Sequence, residues 1–102
     1  MRLYEITRDA EADLEEIARY TIREWGEAQA KSYLDKISQC CKNIANKKIA
    51  SRNFSDKFPE ASVVRCAHHY IFHLTPEAGT PVIFAILHER MDMVARLKSR
   101  LG

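Results

Sequence analysis

Between residues 10 and 37 the chain carries a helical apolar period broken once, at Gly26, and that break constrains the fold more than any other feature. Leu14, Ile17, Ala18, Thr21 and Trp25 recur at helical spacing before it, and Ala30, Tyr33, Leu34, Ile37, Cys41 and Ile44 resume the period after it. A residue without Cβ tolerates the left-handed backbone that closes a helix, so the pattern predicts two amphipathic helices folded back on one another. Either helix alone would be marginal in water, so both apolar stripes need a common surface. The rest of the chain must supply it.

The segment from Arg2 to Thr7 places Tyr4 and Ile6 on one side and reads as a short strand. Thr7 is positioned to cap the first helix, and Asp9, Glu11 and Asp13 lie in its first turns, where the helix dipole favours negative charge. On the outer face Glu15 and Arg19 form a favourable i,i+4 pair. The second helix is expected from about Glu27 to Lys48, with Lys42, Lys47 and Lys48 toward its C-terminus. Residues 50–61 show no period and several turn formers and read as a loop, with Phe54 and Phe58 packed on the core.

From Ser62 the period becomes that of strands: SVVRCA, a turn around His68 and His69, YIFHLT, a turn over PEAGTP, then VIFAILH. Val82 to Leu87 is apolar at every position, which predicts a central strand buried on both faces. The segment from Met91 onward, with Met93 or Val94, Leu97 and Leu101 at helical spacing, is a short amphipathic helix or a basic arm. The expected architecture is α+β: an N-terminal strand, then a helical hairpin on one face of a small antiparallel-rich sheet in the order β-α-α-β-β-β, then the short tail. At 102 residues it is expected to be one domain over 1–102.

The net charge is only +2, but residues 1–35 carry −4 and residues 36–102 carry +6, so the two halves present opposite fields. The longest apolar run is far below the roughly 20 residues of a membrane span, and no secretory signal is visible; a cytoplasmic protein is expected. Cys40, Cys41 and Cys66 lack CxxC spacing and read as buried free thiols of a reducing compartment.

The residues that stand out are Ala10, Asp13-Leu14, Ile17, Tyr20-Thr21, Trp25-Gly26, Gln29-Ala30 and Tyr33, then Val64-Arg65, Tyr70-Ile71-Phe72 and the run Ile86 to Asp92, ILHERMD. In this order, over nearly the whole chain, they resemble the RelE/ParE toxin superfamily of bacterial toxin–antitoxin modules, most closely its ParE branch. One departure is KKIASRNF after the second helix, where members often carry a Pro and a Gly-Arg pair. The resemblance implies a toxin neutralised by a cognate antitoxin. ParE-type toxins are taken to block DNA gyrase, whereas RelE-type relatives cleave mRNA on the ribosome.

A metal-free ribonuclease needs a base, an acid and cations for the phosphorane. His88, Arg65 and Arg90 are the candidates, with His73 and Glu89 as further possibilities, and His88 and Arg90 would share one face of an extended strand. No aromatic follows Phe84 to stack on a base. His68, His69 and His73 invite a metal reading, but two lie at the expected turn and His73 points across a strand. No cofactor is expected.

Arg65, Arg90, Arg96, Lys98 and Arg100 suit contacts to an acidic protein target, while direct DNA binding lacks a recognition helix. Strict alternation would leave Ile83, Ala85 and Leu87 on the sheet face away from the hairpin, open unless the 50–61 loop, the tail or another chain lies over it. With Leu14, Ile17, Tyr20 and Tyr33 on the hairpin, they form the expected antitoxin surface. The favoured reading is a ParE-like toxin inhibiting gyrase by binding. The alternatives are a ribosome-dependent mRNA endonuclease and a relative that has lost toxicity.

Overall fold

The structure, a computed structural model, describes residues 3–75 and 79–101; Arg2 and part of the expected PEAGTP turn lie outside them. Strand β1 (Glu5–Ile6) leads into helix α1 (Arg8–Trp25) and helix α2 (Glu27–Ala45), followed by β2 (Arg52–Ser55), β3 (Phe58–Cys66), β4 (His69–Leu74), β5 (Val82–His88) and helix α3 (Met93–Leu101). No helix among the described residues is long and apolar enough to cross a membrane.

The hairpin forms as the period predicts. Thr7 caps α1 by accepting a hydrogen bond from the Ala10 amide. Gly26 alone joins the helices, at φ 92° and ψ 167°, a region essentially reserved for glycine. Two local expectations are corrected. Arg19 pairs with Glu16 rather than Glu15. Helix α2 stops at Ala45, three residues short of Lys48, where Lys47 takes a positive φ of 56° and the Lys48 amide turns back to the Asn43 carbonyl.

The strands lie in the order β1-β5-β4-β3-β2, with β1 parallel to β5 and every other pair antiparallel. The middle place belongs to β4; β5, expected there, sits between β4 and the two-residue β1. The expected 50–61 loop is instead β2, a tight turn and the start of β3. Its strand pattern is hidden by an irregularity between Asn53 and Ser55, beside which the Asn53 side-chain amide donates to the Pro59 carbonyl. Phe54 and Phe58 do pack on the core.

A bulge in β5 decides which residues face which layer. Phe72 pairs with Ala85 and the next residue, His73, pairs with Ile83, so Phe84 has no opposite number. Ile83 and Ile86 therefore both point toward the hairpin, against Ile17, Ile37, Cys41 and Ile44. Phe84, Ala85 and Leu87 point the other way, with Phe72, Val63 and Leu97. The expected grouping of Ile83 with Ala85 and Leu87 is thereby corrected. So is the open second face: α3 lies over it, with Leu97 fully buried and Met93 and Leu101 packed beside it.

What holds α3 there is an ion pair that reaches around the edge of the sheet. Because β1 pairs only with Val82 and Ile83, the next outward-facing groups of β5, the Phe84 carbonyl and the Ile86 amide, have no strand beside them among the described residues. Asp13 of α1 accepts the Ile86 N–H at 2.9 Å, and Arg100 of α3 donates to the Phe84 carbonyl at 3.1 Å. The two side chains close on each other through two bonds of 2.5 and 2.7 Å, each only 15% exposed.

These contacts set two expected losses of stability. Gly26→Ala meets nothing within 4 Å of the new Cβ, so it should cost about 1–3 kcal/mol from backbone strain alone in urea unfolding; no loss would show that the loop relaxes. Asp13→Ala should cost about 2–4 kcal/mol and more than Arg100→Ala, since it orphans both the Ile86 amide and the guanidinium. Equal and small losses for the two variants would contradict this.

Candidate functional site

The polar residues singled out by sequence gather at one end of the sheet, where the turn between β3 and β4 meets the end of β5. The turn is Ala67–His68, with Ala67 at φ 56°, and the Glu89 amide bonds the His68 carbonyl at 2.9 Å to join the two chain segments. His69, expected in the turn, is the first residue of β4.

On the side of the sheet that carries α3, the exposed Arg65 side chain is bonded through all three of its nitrogens. Its Nε donates to the Ala67 carbonyl at 3.1 Å, Nη1 to the Tyr70 hydroxyl at 3.2 Å and Nη2 to Glu89 Oε1 at 2.6 Å. The guanidinium also lies 5.4 Å from the centre of the Tyr70 ring. The second Glu89 oxygen is 2.9 Å from His68 Nδ1. The His68 hydrogen bond and the Arg65 charge hold the Glu89 carboxyl below its ordinary range.

The hairpin side of the same end is built differently. Cys66, His69 and His88 form one rung across the strands. Tyr33 of α2 places its hydroxyl 2.6 Å from His69 Nδ1 and accepts the His68 backbone N–H at 3.2 Å. Burial, with His88 and His68 nearby, pushes the His69 pKa down to about 4, so the ring is neutral and accepts the Tyr33 proton at Nδ1. Burial raises the Tyr33 hydroxyl in turn. His88 meets His69 edge to face at 5.1 Å and uses its Nδ1 to accept the Arg90 backbone N–H.

The candidate trio is therefore not one constellation. Arg65 and His88 occupy opposite faces, and β5 ends at His88, so Arg90 lies in the following turn rather than two strand positions along. Arg65 already shares its charge with Glu89. His73 is remote from this end: its two ring nitrogens sit 2.8 Å from the Ser51 hydroxyl and 2.9 Å from that of Thr75. The three histidines His68, His69 and His73 each face a different partner, Glu89, Tyr33 and the two hydroxyls.

Among the other cations, Arg90, Arg96 and Lys98 are exposed, whereas Arg100 is taken up by Asp13. Of the apolar hairpin positions, Tyr20 is 53% exposed, Leu14 and Tyr33 are half-buried and Ile17 is buried. Trp25, placed on the buried stripe by its spacing, is 66% exposed at the tip of α1, because α1 ends there and Gly26 turns the chain away. Sequence reasoning missed a shallow groove of about 430 Å³ beside α3, whose wall includes Arg52, Phe54, Tyr70 and Met93, because it rests on the unexpected β2. It also gave Asp13 to the helix dipole; no periodic signal marks a carboxylate that caps a sheet edge.

This hairpin-on-sheet fold with a third helix behind it matches, at TM-score 0.70, a solved structure described as "Chromosomal ParDE TA system from P. aeruginosa", at 18% identity over 84% of this chain and 96% of that one. The class is thus that of a small α+β fold in which a helical hairpin and a short third helix cover a five-stranded sheet. The profile of the family described as "ParE toxin of type II toxin-antitoxin system, parDE" matches residues 4–93, and the chain belongs to that family. It is 47% identical to "Toxin ParE" of Escherichia coli over 99% of this chain and 98% of that protein. It is also 29% identical to "Toxin ParE1" of Mycobacterium tuberculosis, over 88% and 92% of the two chains.

Burial favours the neutral form of His69 and His73, which should make the fold acid-sensitive. His69 and His73 both have folded pKa values below the ordinary 6.5, so the unfolded chain binds more protons as pH falls below that value. Stability should be fully present above about pH 6.5 and decline toward pH 5, before carboxylates begin to titrate. Denaturant midpoints across that range should fall for the native protein and fall less for His69→Gln; an unchanged slope in the variant would refute the assignment.

Proposed function

We propose that this chain is the toxin of a two-protein module, that it inhibits DNA gyrase by binding it, and that a cognate antitoxin neutralises it. The observation that carries this reading is the match to "Toxin ParE" of Escherichia coli along essentially the full length of both chains. The geometry favours binding over chemistry. The groups suited to ribonuclease work stand on opposite faces or are engaged internally: Arg65 with Glu89, His69 with Tyr33, His88 with the Arg90 amide.

The target contacts we assign are the exposed cations Arg90, Arg96 and Lys98, since Arg100 serves the fold and Arg65 serves the turn. The antitoxin surface we assign is the outer hairpin around Tyr20, with Leu14 and Tyr33 at its margin. Ile17 and Ile83 support that surface from within, whereas Ala85 and Leu87 face α3 and take no part in it. The protein would act in the bacterial cytoplasm and, when carried on a plasmid, would stabilise it.

Purified protein should abolish supercoiling by gyrase and leave ribosome-bound mRNA intact in a cell-free translation reaction. Replacing Arg90, Arg96 and Lys98 together by Ala should weaken gyrase inhibition at least tenfold while leaving thermal unfolding unchanged. Cleavage of mRNA at ribosome-bound codons, with gyrase unaffected, would overturn the reading.

A further inference from the structure

At the end of β3, Cys66 meets the stretch of α2 that carries Cys40, and the proposed inhibition uses neither thiol. Cys66, the last residue of β3, faces the hairpin, and its Sγ lies 3.7 Å from the Lys36 carbonyl of α2. In an α-helix that carbonyl also receives the amide of the residue four positions on, which is Cys40. Cys66 Sγ and the Cys40 backbone therefore meet at one oxygen atom. Tyr33, one turn earlier on α2, fixes the same approach by holding the His68 amide and the His69 ring. Cys40 is half-buried and packs against the cluster that contains Cys66, whereas Cys41, its neighbour, is buried in that cluster.

We propose that Cys40 and Cys66 form a thiol pair that small-molecule disulfides convert to an internal disulfide, pinning α2 to the end of β3. Cys40, the more exposed, attacks one sulfur of a low-molecular-weight disulfide RSSR as its thiolate and expels RS⁻, leaving a mixed disulfide on Cys40. The Cys66 thiolate then attacks the Cys40 sulfur and expels the second RS⁻. The two protons lost by the cysteines end on the two RS⁻ groups, so one RSSR becomes two RSH while the two protein thiols are oxidised.

The environment of Cys66 suits the second role. Burial first, and then Cys40 beside it, push its thiol up to about 12, so it is inert while Cys40 is reduced. Capping the Cys40 sulfur removes the part of that rise that Cys40 causes, while the part due to burial stays. Cys41 is held up at about 11 by burial and belongs to the interior of the hairpin. A bond between the adjacent residues Cys40 and Cys41 would require the last turns of α2 to unwind.

The test is to incubate the folded protein with oxidised glutathione, quench with an alkylating agent and map the peptides without reduction. We expect two of the three thiols to be lost, one cross-linked peptide pair containing residues 40 and 66, no retained glutathione and an upward shift in melting temperature. Cys40→Ser should abolish the cross-link and Cys41→Ser should leave it intact. Because the map is made on the native chain, its outcome does not depend on how well a variant folds. A stable glutathione adduct on Cys40, a link involving Cys41, a link between two molecules, or no reaction would each overturn the proposal.

Discussion

The arrangement of the molecule depends on a carboxylate that stands in for a missing strand. β1 covers only the first two residues of β5, and beyond it the sheet would end in unpaired backbone groups beside a buried bulge. Asp13 takes the Ile86 amide, Arg100 takes the Phe84 carbonyl, and the two join in a half-enclosed ion pair. The clamp thereby ties the first helix to the last across the sheet's edge. A partly enclosed pair of this kind adds little net energy over apolar packing, but losing one member leaves a charge and a backbone amide stranded. Its effect here is to fix where α3 sits.

The bulge and the clamp depend on one another. By slipping the register at Phe84, β5 presents Ile83 and Ile86 to the hairpin and Phe84, Ala85 and Leu87 to α3, so a single apolar run serves two cores. The same slip turns the Phe84 carbonyl and Ile86 amide outward to meet Asp13 and Arg100. With both sheet faces covered, the large apolar side chains still exposed among the described residues are Tyr20, Ile22 and Trp25 toward the end of α1, together with Leu3, Met91 and Val94.

Much of this is legible in the residues. The interrupted period yields the hairpin and its glycine hinge, and the resemblance carried by Ala10 through Asp92 points to the family to which the chain belongs. Three things are not legible, each for a physical reason. β2 is hidden because its residues do not alternate: Arg52 and Asn53 are exposed and Phe54 and Ser55 half-buried, with a register shift between Asn53 and Ser55. The facing of Ile83 is misread because a bulge leaves no mark on a uniformly apolar run. Arg100 reads as a free cation because its partner Asp13 lies 87 residues away. At the candidate site, proximity in sequence brings Arg65, His68, Glu89 and His88 to the same end, but only the strand pairing shows that the sheet separates Arg65 from His88.

The central claim is that α3 is a fixed part of the core, held by the clamp, and not a loose arm. Amide hydrogen exchange on the isolated protein tests it most directly. The amides of Ile86 and of the last turn of α3 should exchange slowly and together, near the rate set by global unfolding. Free-peptide exchange rates along α3, with Ile86 no better protected than an exposed strand edge, would contradict it.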